Sequence, residues 1–143
     1  MLIPDVNVLV QAHRGDAARH ADYASWWENL INGGELFNVP APVEHGFLRI
    51  VTNRRSYPDA TPMGIALAFC RDFRESPVFA DLPPMAALQD SFERLLRLPG
   101  VSGNLIPDAY LAALAIEADA EFITADRGFA RFPGLRWRHP LDG

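Results

Sequence analysis

Residues 104–126 read NLIPDAYLAALAIEADAEFITAD. From Pro107 to about Ala118 this stretch is built of strong helix formers, with Pro107 suited to a helix's first turn. Leu111, Ala112 and Ala115 form one apolar stripe, and Asp108 shares their face. The run Glu121 to Thr124 then switches to a short strand, and Asp126 follows it. A helix feeding directly into a strand is half of a βαβ unit, which calls for a mostly parallel sheet.

The rest of the chain repeats that alternation. Leu2 to Pro4 reads as a strand, and Asp5 ends it while capping a helix that carries Val6, Val8, Leu9 and Val10. A second helix is expected from about Ala17 to Leu30, stopped by Asn32-Gly33-Gly34. Leu36 to Val39 is expected to be a strand, and Pro40 and Pro42 set up a helix from about Val43 to Val51. Helices follow at Pro62 to Arg74 and Met85 to Leu96, with a short strand near Val78 to Ala80 between them, and a last strand falls near Leu135 to Trp137. The expectation is one α/β domain over residues 1–143, a three-layer α/β/α arrangement around a central, mostly parallel sheet.

Composition narrows the function. At 143 residues, 49% apolar and 22% charged, the chain has enough apolar surface for a core of its own. The single cysteine, Cys70, excludes an internal disulfide and lies in the apolar run MGIALAFC, where a buried thiol is expected. With no basic lead before the first apolar residues and no stretch of ~20 apolar residues, a cytoplasmic protein without a membrane span is expected. The net charge of −5 argues against a broad basic surface gripping phosphates. All 13 basic residues are Arg. Without lysine, P-loop phosphate binding and Schiff-base chemistry are both excluded.

The acids Asp5, Glu44, Asp108 and Asp126 each have an ordinary explanation as helix caps, first-turn acids or turn residues. Taken together those explanations converge. In a parallel α/β sheet, strand C-termini and helix N-termini lie along one edge, where such folds build ligand sites. Ionised carboxylates ~5 Å apart repel by on the order of 3 kcal/mol per pair at an effective dielectric of ~20. Either protons or a divalent cation must offset this, and an all-oxygen donor set suits Mg²⁺ or Mn²⁺. His13, His20, His45 and His139 lack the spacing of a zinc site, and His45 reads as a helix-surface residue.

At these residues the chain resembles the PIN-domain ribonucleases, and among them the toxin component of bacterial VapBC toxin–antitoxin pairs. The resemblance rests on LIPDVNVLV, APVEHGFLRI, NLIPDAYLAALAIE and ITADRGFARFPGL, four motifs in the family's order along nearly the whole chain. It implies that Asp5, Glu44, Asp108 and Asp126 are the family's metal-site acids, with Asn7 and Thr124 as small polar auxiliaries. It also implies cleavage of RNA, usually a particular tRNA or ribosomal RNA site, a homodimer, and an antitoxin that covers the active-site groove. Asn104 is read as an N-cap at the head of the Asp108 helix.

On this reading Asp5, Asp108 and Asp126 hold one or two Mg²⁺ or Mn²⁺, and Glu44 binds a second ion or orients the attacking water. Two Arg groups can hold flanking phosphates: Arg127, Arg131, Arg136 and Arg138, or Arg49, Arg54 and Arg55. Two rivals stand beside it. A phosphatase using Asp5 as nucleophile suffers from the missing lysine, and a non-catalytic protein-interaction module predicts no response to metal. Apolar residues between Tyr57 and Pro99 serve the core or a groove for a second chain.

Overall fold

The computed structural model describes residues 1–142. Strand β1 (Leu2–Pro4) lies beside β2 (Glu121–Ile123), which lies beside β3 (Trp137–Arg138), all parallel. Pro4 faces Ile123 in this register, so the residues that leave the two strands, Asp5 and Thr124, emerge side by side.

The expected strands at 36–39 and 78–80 contract to single parallel bridges, Leu2 to Phe37 and Phe37 to Phe79. Their neighbours explain it. Pro40 begins the next helix, and the Asn38 side chain, not its backbone, reaches the Ala80 carbonyl at 2.7 Å. The bridges still carry the parallel order outward beyond β1.

Six helices flank the sheet among the described residues: α1 (Val6–His13), α2 (His20–Ile31), α3 (Ala41–Val51), α4 (Met63–Arg74), α5 (Leu88–Leu96) and α6 (Leu105–Glu117). Four starts differ from expectation by two or more residues, among them α3, which begins at Ala41 and not at Val43. Helix α2 begins three residues later than Ala17, and α5 three later than Met85. Helix α6 begins at Leu105, placing Pro107 within the first turn, where its missing N–H is not needed. Asn104 occupies the N-cap position but has helical dihedrals and donates or accepts no capping hydrogen bond.

Helix α6 ends in a Schellman turn. Asp119 takes a φ of +51°, the Ala120 N–H reaches the Ala115 carbonyl at 2.9 Å and the Asp119 N–H reaches that of Ile116 at 3.1 Å. This reverses the chain into β2 within a few residues. Ala109, Ala112, Ala113 and Ala115 are buried, and such small side chains let α6 approach closely enough to hold Asp108 at the rim of the sheet.

The core is aromatic on the α3–α4 side, where Phe69 stacks on Phe47 at 4.9 Å and on Trp27 at 5.5 Å. Phe37, Phe47 and Phe73 are fully buried, each worth roughly 1.5–3 kcal/mol of apolar transfer. Cys70 is buried, as expected, and burial together with the nearby Glu44 charge pushes its thiol up to about 11. No helix among the described residues is long and apolar enough to cross a membrane.

Candidate active site

Asp5 is the N-cap of α1. Its Oδ1 accepts the Val6 N–H at 2.7 Å, the bond that starts the helix. Its Oδ2 accepts from the Thr124 hydroxyl at 2.7 Å and from Asn7 Nδ2 at 3.0 Å. Thr124 in turn accepts from the Asp126 N–H at 3.0 Å and from Asn7 Nδ2 at 3.2 Å, while Asn7 Oδ1 accepts the Ala125 N–H at 3.1 Å. Each donor hydrogen in this net has one destination, so the end of β1, the start of α1 and the exit of β2 are locked together.

Asp126 also caps. Its Oδ1 accepts the Gly128 N–H at 2.8 Å and opens the short 3-10 turn Arg127–Arg131. Asp108 projects from the first turn of α6 and has no hydrogen-bond partner among the described residues. The capping readings of Asp5 and Asp126 are thus correct, and both residues also line a shared cavity.

That cavity, about 650 Å³, is bounded by α1, α3, α6 and the 3-10 turn, and Asp5, Asn7, Asp108 and Asp126 line one part of it. Burial raises the Asp5 carboxyl to about 6 against the lowering effect of Thr124 and Val6, and the Asp108 and Asp126 charges raise it further. Asp108 is raised by burial first and by Asp126 second, with Arg131 opposing. Asp5 and Asp108 therefore both feel other acids across the cavity.

Glu44 is not brought to that cavity. From α3, Pro42, Gly46, Arg49 and Ile50 face it, and two residues of helix rotate Glu44 by about 200° from Pro42. Glu44 Oε1 instead accepts from Arg74 Nη1 of α4 at 2.6 Å. Among the expected phosphate ligands, Arg127 pairs with Asp142, Arg136 with Asp119 and Arg138 with Glu121. Arg131 lies beside the acids and donates through Nε to the Gly128 carbonyl at 2.8 Å. Arg49 lines the cavity and makes no ion pair among the described residues.

The donor set around the three acids is all oxygen, which fits a hard divalent cation in kind. A positive charge placed between them also relieves the burial and repulsion that raise Asp5 and Asp108. Among the described residues no three His, Cys, Asp or Glu side chains are already drawn together at ligating positions. The unbonded carboxylate of Asp108 is the one free to turn inward.

The sequence profile of the PIN domain matches residues 2–135. The chain belongs to the PIN-domain family. It is similar to VapC-type members: it is 46% identical to VapC ribonuclease Mb2897 of Mycobacterium bovis over 143 residues, covering 100% of this chain and 97% of the relative. It is 36% identical to ribonuclease VapC25 of Mycobacterium tuberculosis over 140 residues, 98% and 99% of the two chains. This PIN fold is also that of VapBC2 from Rickettsia felis, solved bound to a promoter DNA fragment, with a TM-score of 0.66 at 19% identity over 96% of this chain and 97% of that one. FitAcB from Neisseria gonorrhoeae gives a TM-score of 0.60 at 16% identity, with 98% of each chain covered.

Sequence reasoning placed Asp5, Asp108 and Asp126 at one rim, with Asn7 and Thr124 beside them. It missed Gln11 and Tyr110, which also line the cavity. Gln11 follows Asn7 by one helical turn on the same face of α1, and that spacing was the available signal.

Proposed function

We propose that this PIN-domain protein is the endoribonuclease toxin of a toxin–antitoxin pair, hydrolysing RNA phosphodiesters with Mg²⁺ or Mn²⁺ held by Asp5, Asp108 and Asp126. The observation that carries the reading is the buried Asp5 carboxyl, raised to about 6, facing two further carboxylates across one cavity. Asp5 serves the fold as a helix cap, but facing it with two further carboxylates adds no stability, since buried like charges cost free energy. The VapC names of the relatives support RNA as substrate and a cognate antitoxin as partner.

A divalent cation held by Asp5, Asp108 and Asp126 would supply Lewis-acid polarisation of the phosphodiester and a lowered pKa for an attacking water. The chain's own residues do the rest. Asn7 and Thr124 fix the Asp5 carboxylate, so its orientation is set before substrate arrives. Asp126 offers the oxygen not spent on Gly128, and Asp108 turns in from α6. Arg131, on the opposite flank, presents positive charge to the backbone of the bound strand. Glu44, held by Arg74, supports α3 against α4 and stands outside the ligand set. We further propose a homodimer, and a tRNA or ribosomal RNA as the target class.

The test is cleavage of structured RNA with Mg²⁺ or Mn²⁺, with chelator, and in Asp5→Asn and Asp108→Asn. Activity is expected only with the cation and with both acids present. Chelator-resistant cleavage, or full activity in both variants, refutes the mechanism.

A further inference from the structure

The cavity is larger than its acids require. A hydrated divalent ion, with about six water-sized ligands of ~30 Å³ each, fills on the order of a third of the available 650 Å³. The remainder is walled differently. Val10 and Ile50 give it apolar sides, and Tyr110 presents a half-buried ring held edge-on by Phe92 at 5.3 Å.

Two polar groups at that end lack partners. Gln11 lines the cavity, yet its Oε1 is shut off from solvent and accepts no hydrogen bond among the described residues. An orphaned amide oxygen costs free energy that a donor brought into the cavity recovers, and the terminal amide torsion is soft enough to turn toward one. Arg49 lines the same cavity with an exposed guanidinium that makes no ion pair among the described residues, although six other arginines do. About 9 Å of helical rise along α1 separates Gln11 from Asp5, enough to sit beside a neighbouring nucleotide and not the scissile phosphate itself.

We infer that Gln11, Tyr110 and Arg49 form a subsite for one unstacked nucleotide next to the cleaved bond, with Tyr110 stacking on the base, Gln11 reading its edge and Arg49 holding its phosphate. An apolar wall with an aromatic face, one amide and one cation matches how proteins take a splayed base from single-stranded RNA. A base edge that brings a donor answers the Gln11 oxygen, and because the order of donors and acceptors along that edge differs among the four bases, one base is preferred to the others. The inference rests on the ribonuclease reading and makes the substrate single-stranded at the cut.

The experiment sequences the cleavage products of a random single-stranded RNA pool cut by the wild type, Gln11→Leu and Tyr110→Leu in Mn²⁺. A base bias is expected at one position flanking the cut, and Gln11→Leu reduces it about tenfold. Should Gln11→Leu fail to fold, Tyr110→Leu carries the test, weakening single-strand binding at least fivefold. In an Asp108→Asn background with chelator, Arg49→Gln lowers the slope of log Kd against log salt by about 0.7, one phosphate contact on a single strand. A wild type that cuts without base bias, a folded Gln11→Leu with the bias intact, or an unchanged salt slope overturns the subsite. No cleavage of any RNA by the wild type overturns the ribonuclease reading instead.

Discussion

Thr124 donates a 2.7 Å hydrogen bond to Asp5 Oδ2, joining residues 119 positions apart in the chain. Thr124 is fully buried and Asp5 nearly so, and the parallel register of Pro4 with Ile123 is what sets them beside each other. One hydroxyl therefore positions the acid, receives the Asp126 N–H and ties β1 to β2.

Replacing that hydroxyl tests its weight. Thr124→Val keeps the shape but strips Asp5 of a donor and the Asp126 N–H of an acceptor, so it should cost about 1–3 kcal/mol in denaturant unfolding. The same change removes a bond that lowers the Asp5 pKa, and a carboxyl titration followed by NMR should find that pKa higher than in the wild type.

Asp5 also sets a pH dependence. Its folded pKa of about 6 exceeds the ordinary 3.8. Between those values the folded protein keeps a proton that the unfolded chain has released, so stability falls as pH rises through that window. The drop is on the order of 3 kcal/mol for this group. Melting temperatures measured from pH 4 to pH 7 without divalent cation should show it, and Asp5→Asn should flatten it. A wild type whose stability climbs across the window would contradict the burial of that charge.

Mn²⁺ should act on the same strain. A saturating ion at 100 times its Kd adds ~2.7 kcal/mol to the folded state, a rise of several degrees in Tm for a domain of this size. The rise should shrink sharply in Asp108→Asn and persist in Glu44→Gln. Equal shifts in the two variants would return Glu44 to the ligand set.

The ion pair of Glu44 with Arg74 is a stability element of modest size, because the two side chains are 20% and 44% exposed. A double-mutant cycle of Glu44→Gln with Arg74→Met should give a coupling of about 0.5–1 kcal/mol. RNA cleavage by Glu44→Gln should stay within a few fold of wild type.

Gly46 of α3 packs tightly against Val6 of α1. A Cβ there would stand 2.8 Å from Val6 Cγ2, and a β-branched side chain in a helix has no alternative rotamer to retreat to. The ~1 kcal/mol that alanine gains in helix propensity is outweighed by ~1–3 kcal/mol of overpacking. Gly46→Ala should lower Tm by a few degrees.

Much of this fold could be read from the chain because local patterns and tertiary demands agree. Asp5 caps a helix and lines the cavity at once, and Asp108 shares a helix face with the stripe of Leu111, Ala112 and Ala115. The strands around Phe37 and Phe79 were overestimated because their apolar residues look the same whether they form a ladder or a single bridge. The pairing of Glu44 with Arg74 was not legible because Arg74 lies on another helix, and no local spacing in α3 announces it. The pairing of Arg127, Arg136 and Arg138 with distant carboxylates was equally out of reach, since net composition does not say which cations are already spent.

Asp5 and Asp108 differ in what else depends on them. Asp5 begins a helix and anchors two strands, so a descendant that abandoned RNA cleavage would still be held to an acid there by folding alone. Asp108 makes no hydrogen bond among the described residues and crowds another charge, so once the chemistry is lost, drift should erase it first. In a set of PIN-like sequences of uncertain competence, the acid opening the alanine-rich helix, more than the one closing the first strand, should separate working nucleases from their silent descendants.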